Sequence, residues 1–122
     1  MIPKIIYDMN LHLFIRHLFL SNNSLEGILD VSMFSNLELL NIDNNKISTL
    51  KVNNTLLELS CNNNNLQSLP ILYKIKRIRA SNNKIDKISI SKMIKKQIIE
   101  ELKKQYSEFT IKELNTGWIE IH

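Results

Sequence analysis

The sequence predicts an α/β solenoid. Four stacked repeats, each with one short strand, are closed at the C-terminal end by a helix and a hairpin. Three observations predict it. A five-position template recurs four times, with asparagines 22, 19 and 19 residues apart. The segments between templates alternate with a period of two, not that of a helix. Past Ile90 the template stops, and apolar residues recur every four positions instead.

The template reads apolar, two residues, apolar, one residue, apolar, two residues, Asn, one residue, apolar, so its positions run from 1 to 11. Ile15, Leu18, Leu20, Asn23 and Leu25 fill it first. Leu37, Leu40, Ile42, Asn45 and Ile47 follow, then Leu56, Leu59, Cys61, Asn64 and Leu66, then Ile75, Ile78, Ala80, Asn83 and Ile85. Apolar residues at positions 4 and 6 alternate with outward ones, as in a short strand. The chain then turns at Asn, whose inward amide can bond backbone groups of the adjacent turn. Removing such a side chain leaves buried groups unpaired, at about 1–3 kcal/mol each. The predicted structural ladder is Asn23, Asn45, Asn64 and Asn83. The doubled asparagines, Asn22/Asn23, Asn44/Asn45, Asn63/Asn64 and Asn82/Asn83, read as a turn-forming column and not as a recognition code.

On these residues the chain resembles the leucine-rich repeat family, whose consensus is LxxLxLxxNxL. The resemblance covers residues 15–90. It implies a curved, right-handed superhelix with a short parallel sheet on the concave face. The stretch LLELSCNNNNLQSLPILYKIKRIRASNNKI, residues 56–85, is similar to short repeats of bacterial effectors and of large DNA viruses. NSLEGI, residues 23–28, is similar to the plant-type variant. The chain holds 19 Ile, 16 Asn and 13 Lys but one Ala, which fits an A/T-rich genome. With the viral likeness, this implies an insect poxvirus or a giant virus as source.

The outer segments are regular as well. Leu50/Val52, Leu69/Ile71 and Ile88/Ile90 stand five and seven residues after the ladder asparagines. Their period of two predicts extended or turn-like convex segments, and a 19-residue repeat leaves little room for a helix. Residues 26–36 of the longer repeat have room for one helical turn. The spacing of Ile94, Ile98, Leu102 and Tyr106 predicts an amphipathic cap helix over 92–106, with Ser91 as its N-cap. Lys92, Lys95, Lys96, Lys103 and Lys104 then face water. Phe109/Ile111 and Ile119/Ile121 alternate on either side of Asn115-Thr116-Gly117, a hairpin signal with Trp118 after the turn. Residues 1–14 are read as an N-terminal cap, with Ile2, Ile5, Tyr7 and Asn10 echoing the template. The whole chain, 1–122, is one domain.

Composition and motifs exclude most chemistry. Cys61 is the single cysteine, so no disulfide framework exists, and it occupies a core strand position. The two glycines, Gly27 and Gly117, cannot form a phosphate-binding loop. His12, His17 and His122 have no metal-ligand spacing beside an acid, and no serine lies in a Gly-x-Ser-x-Gly context. No enzyme, cofactor or metal is therefore expected. No run of 18 apolar residues would span a membrane. Asp8, Asn10 and Arg16 interrupt any signal core, so an intracellular, cytoplasmic location is expected. The sequons at Asn22 and Asn53 are read as accidental in an Asn-rich chain.

Charge is uneven. The net charge is +4, with four basic and six acidic side chains in residues 1–61 but twelve and six in 62–122. The basic run between Lys74 and Lys104 contains no aromatic residue, which argues against base stacking and a nucleic-acid partner. Binding is expected instead on outward positions 3, 5 and 7. These are His17, Phe19 and Ser21; Leu39, Asn41 and Asp43; Glu58, Ser60 and Asn62; Arg77, Arg79 and Ser81. Phe19 and Leu39 would form an apolar patch unless the N-terminal cap covers them, and Arg77 and Arg79 a basic edge. The expected function is a non-catalytic protein-interaction module using the concave face. The viral likeness implies a host protein as partner. Two alternatives stay open: a substrate-recognition component of a ubiquitin ligase assembly, as the effector likeness implies, and nucleic-acid binding through the basic half.

Overall fold

The computed structural model describes residues 10–85, Lys92, and the backbone of 111–113 and 119–121. Its strands are β1 (His17–Phe19), β2 (Glu26–Asp30), β3 (Leu39–Asn41), β4 (Lys46–Lys51), β5 (Glu58–Ser60), β6 (Arg77–Arg79), β7 (Ile111–Glu113) and β8 (Ile119–Ile121). Template positions 3 to 5 of each repeat form one three-residue strand. These four strands lie parallel in the order β1-β3-β5-β6, register matched position for position. The chain is thus a parallel β-solenoid of about three turns.

Alternation along the strands decides what faces inward. Leu40, Leu59 and Ile78, at position 4, are fully buried, and positions 1, 6 and 11 of repeats two to four are buried as well. The first repeat differs. Ile15, Leu18, Leu20 and Leu25 hold the same positions but are only partly buried against the core. The opposite wall of the core is a second parallel pair, β2 with β4. Its register shifts between Gly27 and Ile28, so Ser48 of β4 has no counterpart. Gly27 sits at φ 76, a left-handed conformation open to glycine, and no other atom crowds the place of a Cβ. The extended outer segment expected around Leu50 is therefore a strand.

Residues 26–36 are not built around a helical turn. Their first half is β2. Two successive tight turns then follow, closed by Phe34 N–H donating to Val31 C=O at 3.1 Å and Leu37 N–H to Phe34 C=O at 3.1 Å. They turn Phe34 into the core, where it is completely buried beside Leu29 and Val31.

Helix is nearly absent among the described residues: a 3-10 turn at Leu11–Leu13 with no buried residue, and helical, exposed Lys92. The expected α/β class gives way there to strand and turn. A strand, an Asn turn and an extended return use up the 19 residues of a repeat. The rest of the expected 92–106 helix, and residues 1–9 of the expected N-terminal cap, lie outside the described residues. The hairpin is present: β7 and β8 pair antiparallel, and β8 joins the hairpin to the sheet by pairing antiparallel with β6, which leaves β7 as the terminal strand.

Asp30, at the end of β2, accepts from the Ser32 hydroxyl at 2.6 Å and the Ser32 N–H at 2.9 Å. The hydroxyl bond, then the backbone bond, holds its carboxyl below the usual range. Slight desolvation of this exposed carboxyl opposes this, and Lys51 assists it weakly. A depressed carboxyl adds stability above its unfolded-state pKa and loses it as pH falls through its folded-state pKa. Ser32→Ala should move the Asp30 titration upward, read by NMR; an unmoved Asp30 would show that Ser32 does not hold it.

Candidate binding face

Two asparagine columns build the rim of the six-stranded sheet. The first turns the chain. Asn22, Asn44, Asn63 and Asn82 have φ 57, 57, 58 and 54. Asparagine tolerates this left-handed conformation better than other non-glycine residues, so the column does the work of turn glycines. Its exposed amides also bond one another: Asn63 donates to Asn44 Oδ1 at 2.6 Å and Asn82 to Asn63 Oδ1 at 2.7 Å. The turn-forming reading of the doubled asparagines agrees with this geometry.

The second column faces inward. Asn64 Oδ1 accepts from Ile47 N–H at 3.0 Å, and its amide donates to Ile42 C=O at 2.9 Å and to Cys61 and Asn62 C=O. Asn83 repeats this, with Leu66 N–H at 3.0 Å and Cys61 C=O at 2.8 Å. Asn45 does so with Leu25 N–H and Leu20 C=O, both at 2.9 Å. Each side chain thus joins its own turn to the preceding one. Asn23 does not. It is exposed, and its amide donates to Ser21 C=O within its own turn.

The outward face is less open than alternation alone implied. Asp43 accepts from the Ser60 hydroxyl at 2.7 and 2.9 Å and from Asn62 N–H at 2.8 Å. Asn62 Oδ1 in turn accepts from Ser81 N–H and Oγ, both at 2.9 Å, and Asn41 Oδ1 accepts from Asp43 N–H at 3.0 Å. Ser60 and Asn62 are buried. Asp43, Ser60, Asn62 and Ser81, expected to meet a partner, therefore tie neighbouring repeats together. This network escaped the sequence, because position 7 already lies past the strand, in the bend toward Asn.

Position 3 and the ends of the face remain accessible. The register sets His17, Leu39, Glu58 and Arg77 in one row and Phe19, Asn41, Ser60 and Arg79 in the next. Phe19 is 65% exposed, and Leu39 is half-buried. Glu58 and Arg77 approach to 3.8 Å, both half-buried. Across strands about 4.8 Å apart, the apolar and basic ends stand about 14 Å from each other.

Cys61 is buried, and burial, with the Asp43 carboxylate as a lesser cause, pushes its thiol pKa far up. Its Sγ donates to Arg79 C=O at 3.3 Å. A thiol held protonated is no nucleophile. Among the described residues no group of three His, Cys, Asp or Glu could hold a metal ion, and no helix is long and apolar enough to cross a membrane. Comparison with protein-family models, with curated proteins and with solved structures finds no match for this chain.

Proposed function

We propose that this chain is a non-catalytic protein-interaction module of leucine-rich-repeat type, engaging a protein partner on the outer face of its six-stranded sheet. The exposed Phe19 ring carries the reading. It stands on a strand fixed by its neighbour, on a face whose central polar groups bond to one another. A partner there meets a rigid aromatic anchor at one end and the Arg77/Arg79 edge at the other. Apolar anchors set residence time, and peripheral charge sets encounter rate. Should the chain be viral, as its composition and repeats fit, the partner would be a host protein.

The test begins with affinity capture and mass spectrometry. Phe19→Ala with Leu39→Ala should speed dissociation of the captured complex about tenfold. Arg77→Ala with Arg79→Ala should slow association and flatten its salt dependence. A generic oligonucleotide, titrated in parallel, should bind weakly; tight binding that collapses with salt would favour the basic half and a nucleic-acid function. Unchanged kinetics in both double variants would place the interface off this face.

A further inference from the structure

We propose that β1 is the docking edge for a second copy of this chain, joined by an antiparallel β1–β1 pair centred on Leu18. The first observation is an open end. Positions buried in repeats two to four are half-buried in repeat one, while Phe14 and Phe19 are 76% and 65% exposed and Leu11 and Leu13 are exposed as well. No described strand lies beyond β1. Such an edge, short but rich in aromatic and aliphatic residues, is a template for pairing.

The second observation is where the backbone groups point. Arg16 C=O accepts from the N–H groups of Glu38 and Leu39, at 2.8 and 3.0 Å, and Leu20 N–H donates to Asn41 C=O at 2.8 Å. Alternation along the strand then directs the backbone groups of Arg16, Leu18 and Leu20 toward β3. Those of His17 and Phe19 point away from it. A twofold axis at Leu18 sets His17 opposite the second copy's Phe19, and Phe19 opposite the second copy's His17. Both are hydrogen-bonded positions of an antiparallel ladder, and their rings fall side by side.

The pairing is also self-complementary in charge and burial. Leu18 meets Leu18 on the core side. Arg16 falls opposite Leu20, and its guanidinium already meets Glu38 at 3.0 Å, so no like charges face each other. The opposite end of the sheet is the antiparallel β8–β7 hairpin, so its terminal strand β7, of Ile-Lys-Glu sequence, differs from β1 in character. An isologous pair at β1 consumes that edge in both copies, so association through β1 stops at a dimer.

Sedimentation equilibrium or light scattering of the full chain, from about 1 to about 100 μM, should show a concentration-dependent rise to twice the 14.3 kDa chain mass. Phe19→Pro should abolish it. The Phe19 N–H faces away from β3, so proline removes a bond across the seam and none within the fold. Phe19→Lys keeps the backbone, places charge in the seam, and should weaken association about tenfold or more, which serves if the proline variant misfolds. A wild-type chain that stays monomeric at the top of this range overturns the proposal. So does a dimer that persists in a folded Phe19→Lys variant, or growth beyond the dimer. The readout needs no partner protein, so it is independent of the binding function.

Discussion

Phe34→Ala should destabilise the fold by about 3–5 kcal/mol. Phe34 is completely buried, and it is the largest side chain at the junction of the tight turns with the core. Its removal takes away the transfer free energy of a ring and leaves a cavity that β2 and β3, each fixed by its pairing, cannot close. A domain of this size holds about 5–15 kcal/mol in all, so thermal unfolding should fall by roughly 10 °C or more. Ile71→Ala, at a half-exposed position on the outer wall, should shift stability by about 0.5 kcal/mol or less. Equal shifts for the two variants would show that the turns of the longer repeat do not depend on Phe34.

Asn64→Ala should cost about 1–3 kcal/mol. It strands the Ile47 N–H inside the protein, and it takes one of two amide donors from the Ile42 C=O, which keeps that of Asn45. Asn63→Ala is the matched comparison. It loses exposed amide bonds to Asn44 and Asn82 and forces alanine into φ 58, at about 1–2 kcal/mol. Asn63→Gly removes the backbone part of that cost. Urea or thermal unfolding should rank the three with Asn64→Ala lowest. An Asn64→Ala protein as stable as Asn63→Gly would refute the inward ladder.

The repeat was legible in the sequence because strand alternation and the Asn turn impose a fixed spacing. Positions 4, 6, 9 and 11 of repeats two to four stand where the template placed them, and the tail hairpin follows from alternation about a turn. Phe34 was missed, along with Leu29 and Val31. Leu29 is the strand partner of Leu50, but the register shift at Gly27 puts it six residues after its asparagine and not five, and Val31 and Phe34 follow it off the spacing. Asn23 was placed on the ladder by its spacing, yet it is exposed. The other ladder amides reach a carbonyl of the preceding turn, whereas Asn23 meets one of its own. Asp43, Ser60 and Asn62 looked like surface residues because alternation counts faces and not neighbours. Only stacking brings Asp43 of one repeat against Ser60 and Asn62 of the next.

The ladder bonds have a consequence for how such a gene can change length. Asn45, Asn64 and Asn83 each reach the carbonyl at position 6 and the N–H at position 11 of the turn before, whatever residue stands there. The ladder bonds across each of these seams are therefore the same. Recombination that removes or duplicates one whole 19-residue unit joins compatible ends, whereas a single-codon deletion inside a unit misplaces every side chain up to the next asparagine. Excision of residues 65–83, which spares the β2–β4 pair and the Asn45 and Asn64 ladder bonds and joins Asn64 to Lys84, should leave a shorter folded chain. Excision of Ser60 alone should leave none.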